Sequence, residues 1–73
     1  MQTTEQTIDQ IEAAIVLLKE LADKEQGITR KYAILAARDH YLSACACIRH
    51  DQLDRAGRHL EAARDIITRE VRA

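Results

Sequence analysis

Apolar residues recur at intervals of three and four along almost the whole chain, and no proline interrupts them. That period belongs to helices with one buried stripe. From residue 4 to about 25, Ile8, Ile11, Ile15, Leu18 and Ala22 form the first stripe. Thr3 with Gln6 fits a capping box at its start, and Gly27, just after Lys24, fits a C-terminal stop. A second helix is expected over 29–50 with Thr29 as its N-cap. It carries Ile34, Ala37, Tyr41, Ala44 and Ile48 on one stripe and Leu35, Leu42 and Cys45 on its neighbour. A helix apolar around so much of its circumference belongs in the middle of an assembly. The third, over 52–71, is expected to be capped by Asp51, with Asp54 at the reciprocal position. It turns Leu53, Ala56, Leu60, Ala63 and Ile67 inward.

The connecting segments are too short for anything except antiparallel neighbours. The expected architecture is therefore all-α: an antiparallel three-helix bundle, up-down-up, in a single helical domain over 1–73. A chain of 73 residues without Phe or Trp builds a small core, worth about 3 to 5 kcal/mol unaided. Such chains commonly complete their burial with a second copy or a partner, so assembly as a homodimer is expected.

Charge divides the chain. Residues 1–26 carry six acids against two lysines, whereas 27–50 carry Arg30, Lys31, Arg38 and Arg49 against Asp39 alone. The acids Glu5, Asp9 and Glu12 lack basic partners three or four residues away, as do the cations of the second helix, so their complements lie on the other helix. A turn at Gly27 sets Glu5 and Asp9 near Arg49, and Glu20 and Asp23 near Arg30 and Lys31. The third helix is self-paired at four residues through Asp51 with Arg55, Asp54 with Arg58, and Asp65 with Arg69, which reads as a solvated outer face.

The longest apolar run, Ala13 to Leu18, is six residues against the ~18 that a membrane span needs. The N-terminus has no basic leader region, and a cytoplasmic protein is expected. Cys45 and Cys47 diverge around a helix and read as free structural thiols. Cys47 with His50 supplies two of the four ligands of a closed zinc site, and His40 and His59 read as half-exposed helical side chains. Ser43 lies on a helix without a nucleophile elbow, and no glycine-rich phosphate loop exists. Glu61 and Asp65 sit beside Arg64 and Arg69, which keep them ionised. No enzyme activity, cofactor, metal or small-molecule substrate is therefore expected.

Lys31, Leu35, Arg38, Leu42, Cys45 and Arg49 interleave cations with aliphatics on one face of the second helix. Without an aromatic platform, and in a chain of net charge −1, that face supports at most weak, salt-sensitive nucleic-acid binding. Val16 and Leu17 say more, because with Ile15 and Leu18 committed to the stripe they widen the apolar face of the first helix, and Leu21 adds to it. The third helix covers this surplus, or a second copy or partner does.

The stretch from Tyr41 to Ala63 resembles a single tetratricopeptide-type helix pair, with Ala44 in its first helix and Leu53, Ala56, Leu60 and Ala63 in its second. His40 stands where tryptophan is usual and Asp51 where glycine is usual, and the closing proline is absent. The resemblance covers under half the chain and implies shared helix packing, in a family whose repeats bind peptides or proteins. It carries no functional residue over.

The function expected from the sequence is protein binding: an adaptor, chaperone-like or inhibitory module that occludes or bridges a larger protein partner. Val16, Leu17, Leu21, Leu35 and Leu42 would form the aliphatic centre, with Tyr32 as an aromatic anchor and Arg38 in the charged rim. Small helical proteins of this kind also serve phages and mobile elements as blockers of host machinery, an analogy that favours an inhibitor. The alternatives are a nucleic-acid-associated regulator working through the second helix, and a purely structural self-assembling subunit.

Overall fold

The computed structural model describes residues 3–71, in which three helices pack together without a strand. Helix α1 spans Thr4–Lys24, α2 Ile28–Arg49 and α3 Leu53–Ile66, and α3 continues as a π-helical turn over Ile67–Val71. The third helix was expected to run on regularly; its last turn is instead wider. Helix α2 packs against both α1 and α3, whereas α1 and α3 make no close backbone approach among the described residues. The central place of α2 follows from its breadth of apolar surface, because only a helix flanked on two sides can bury Ala33, Ile34, Ala37, Ala44 and Cys45 together.

Capping sets the helix ends. Thr3 Oγ1 accepts from the Gln6 amide at 3.1 Å, and Gln6 Oε1 accepts from the Thr3 amide at 2.9 Å, closing the expected capping box. At the first turn of the chain two expectations are corrected. Gly27 is not a left-handed stop: its φ is −79°, and it serves as the N-cap of α2, so Thr29 falls inside the first helical turn. The Glu25 carboxylate accepts the Gly27 amide at 3.1 Å and lies 3.6 Å from Arg30 Nε.

Asp51 is likewise not a cap for α3. It adopts φ 60° immediately after α2, its amide donating to Ile48 O at 3.1 Å and the Gln52 amide donating to Cys47 O at 2.7 Å. That is a Schellman closure with aspartate in the left-handed position glycine usually takes. Gln52 becomes the N-cap of α3 and makes no side-chain cap hydrogen bond.

The core joins Leu18 and Ala22 of α1, Ala33, Ile34 and Ala37 of α2, Ala63 of α3 and Val71, with Leu35, Tyr41, Ile66 and Ile67 packed on its margin. Among the described residues Ile34 is the one large side chain fully buried, and burying it is worth about 1.5 to 3 kcal/mol. Most of the other buried residues are alanines, Ala22, Ala33, Ala37, Ala44, Ala56 and Ala63, so the helices lie close while few bulky aliphatics leave water. Leu53, expected to face inward, is 62% exposed: it opens α3 beside the turn, where α2 has already ended. Arg30 donates to the backbone carbonyl of Val71, tying the terminal turn to the start of α2.

The cross-helix charges pair as a class but not in the expected register. Arg49 lies 3.5 Å from Glu12, and Arg30 reaches Glu25, in each case further along α1 than expected. The expected helix α3 pairs do not close; Arg69 Nε donates to the Asp65 carbonyl oxygen instead, at 3.4 Å. Exposed pairs gain too little, about 0 to 1 kcal/mol, to hold two long side chains in one geometry. No helix of the described residues is long and apolar enough to cross a membrane.

Candidate protein-interaction surface

Helix α3 comes close in backbone to α2 and not to α1 among the described residues, and part of the apolar surface of α1 stays uncovered. Val16 is 56%, Leu17 60% and Leu21 49% exposed, and on α2 Leu42 is 48% exposed. At 100° per residue Val16 flanks the buried stripe of α1 on one side and Leu21 on the other, with Leu17 beyond Leu21. The single face anticipated from these residues is therefore two flanks.

On the Val16 flank a cleft of about 180 Å³ opens between α1 and α2, lined by Glu12, Ile15, Val16, Leu42, Cys45 and Arg49. The Glu12–Arg49 pair, each side chain about half exposed, is part of that wall. Cys45 is buried at its base. Burial pushes the Cys45 thiol up from its ordinary 9.0, with Arg49 opposing and Glu12 adding to the shift. A raised thiol beneath an aliphatic wall is a packing residue and not a nucleophile. Glycine, serine and histidine are absent from the cleft, which offers shape and apolar surface.

The structure distributes the remaining sequence candidates. Leu35 is half-buried against the core and shows only part of its side chain to the surface. Tyr32 is 69% exposed, on the far side of α2 from the core. Arg38 is half-buried, donates to Asp39 at 3.3 Å, and keeps its Nε buried without a partner. A guanidinium held in that way is poorly placed to track phosphates. A larger, open hollow of about 470 Å³ lies over residues 51–55 and is lined by the turn itself. Among the described residues no three His, Cys, Asp or Glu side chains converge on a common point.

One pair escaped the sequence reading. His40 of α2 and His59 of α3 bring their Nδ1 atoms to 3.0 Å, with ring centroids 5.3 Å apart and planes tilted by 39°. Each was read as a separate half-exposed side chain. The available signal is that Ala44 follows His40, and Ala56 and Ala63 bracket His59, so both imidazoles lie among small residues where helices touch. They pin α2 to α3, on the side of α2 away from the cleft.

Comparison of the chain with models of protein families, with curated proteins and with solved structures finds no match.

Proposed function

We propose that this chain is a non-enzymatic, cytoplasmic protein-binding module, an adaptor or inhibitor that docks on a larger protein through the uncovered sides of α1. The observation that carries this reading is that Val16, Leu17 and Leu21 of α1 and Leu42 of α2 stay about half exposed. Bulky aliphatics grouped on one helix pair, rimmed by charge, fit the apolar centre and polar rim of a protein interface. A length of 36 Å and a long helical edge support action by occlusion or bridging.

The same reading takes the helices as antiparallel, up-down-up. Supporting this are the Glu25–Arg30 pair beside the first turn and the Glu12–Arg49 pair far from it. It also takes the chain as a homodimer, since the interior is mostly alanine and leaves larger side chains for a second surface.

Affinity capture of the partner, compared between the wild-type chain and Leu17→Glu, tests the function. A stoichiometric larger protein retained by the wild type and lost by Leu17→Glu is the expected result. Capture unchanged in both Leu17→Glu and Val16→Glu would overturn it.

A further inference from the structure

The two walls of the Val16 flank carry opposite charge in a regular pattern. Along α1 it presents Glu5, Asp9, Glu12, Val16, Lys19 and Asp23, alternating four and three residues apart, with four acids and one lysine. The matching edge of α2 runs Lys31, Leu35, Arg38, Leu42, Cys45 and Arg49, with three cations and no acid. Within the chain only Glu12 and Arg49 bridge these edges among the described residues. Glu5, Asp9 and Asp23 on one side and Lys31 on the other are exposed and have no ion-pair partner among the described residues. Val16 and Leu42 stand at the centre, about half exposed over the cleft.

A face of this kind is complementary to itself in one orientation only. A two-fold axis across the helices would stack acidic α1 on acidic α1, a like-charge contact that disfavours association. A two-fold axis parallel to the helices instead places the partner's α1 over this chain's α2, acid on base, twice over. That axis preserves height along the helices. Because Glu25 and Arg30 meet near the first turn, Asp23 of one copy comes level with Lys31 of the other, and Val16 with Leu42.

The molecule is 36 Å long and 19 Å wide, a projected face of roughly 700 Å², close to the ~800 Å² that each partner contributes to a standard interface. We infer that the Val16–Leu42 cleft is the dimerisation face for a second copy of this chain, related by a two-fold axis parallel to α1 and α2. The inference rests on the antiparallel α1–α2 arrangement and the homodimer proposed above, and adds the face and the symmetry. It leaves Leu17 and Leu21, on the other flank of α1, free for a different protein.

Sedimentation equilibrium of the full chain at low salt tests this. The expected mass is twice 8.3 kDa, falling toward one chain in 0.5 M salt as the charge pairing is screened. Leu42→Glu is expected to give a single chain with its helical circular dichroism retained, while Leu17→Glu stays dimeric. Should Leu42→Glu unfold, the exposed pair decides: Asp23→Lys and Lys31→Glu each weaken the dimer at least several-fold, and the double variant restores it. A wild-type monomer overturns the inference, and if that monomer still captures a larger protein through Leu17 the proposed function stands without it. A monomer that retains duplex DNA through the α2 edge also overturns it. So does a dimer broken by Leu17→Glu and untouched by Leu42→Glu, or a double charge swap that fails to restore association.

Discussion

His40 of α2 and His59 of α3 face each other with their Nδ1 atoms 3.0 Å apart, and one ring donates the proton the other accepts. This is the one hydrogen bond between a side chain of α2 and a side chain of α3 among the described residues. Replacing either histidine alone leaves a half-buried nitrogen unpaired. His40→Leu and His59→Leu are each expected to cost about 1 kcal/mol, whereas the double variant loses less than their sum, with a coupling of about 0.5 to 1.5 kcal/mol. Urea unfolding of the four proteins measures it, and strict additivity would show that the pair contributes nothing.

Asp51 holds φ 60° to close α2, a conformation that is strained for a residue with a Cβ. Asp51→Gly is expected to stabilise the fold by about 0.5 to 1 kcal/mol. Asp51→Val, branched at Cβ and unable to bond locally, is expected to destabilise it by more than about 1 kcal/mol. Thermal melts resolve both, since 1 kcal/mol moves the midpoint of a domain this size by about 4 to 8 °C. Equal midpoints for glycine and valine would mean the turn tolerates any side chain.

Gly57 lies inside α3, and a methyl group added there meets nothing within 4 Å. Gly57→Ala therefore gains helix propensity without a clash, an expected increase of about 1 kcal/mol in unfolding free energy. A loss of stability in urea titration would show that α3 approaches a neighbour more closely than the structure places it.

Cys45 is buried and its thiol is raised by that burial, while Cys47 is half-buried. Alkylation by iodoacetamide at pH 8 is expected to modify Cys47 first, by at least tenfold in rate, as mass spectrometry of tryptic peptides reports. Folding favours the protonated Cys45 thiol, so this contribution to stability is complete below the thiol's unfolded value. It is lost as pH rises through the higher folded one. Faster labelling of Cys45 would mean the cleft opens.

Three helices, their approximate bounds and the central place of α2 were legible in the sequence, because a three-and-four apolar period states which face is buried without reference to a neighbour. The Thr3–Gln6 box was legible for the same reason: its groups lie three residues apart. Where the chain turns, local pattern misled. Asp51 resembles a cap by residue type, yet the carbonyls ending α2 needed its amide and that of Gln52, and satisfying them forced the left-handed conformation. Pairing of helix α3 charges was over-read because spacing permits a contact without making it favourable. The tertiary structure decided the rest. It left Val16, Leu17 and Leu21 exposed, sank Leu35 toward the core, shifted Arg49 onto Glu12, and brought His40 to His59. Each of these depends on the distance and rotation between helices, which is set by how side chains on separate helices interlock.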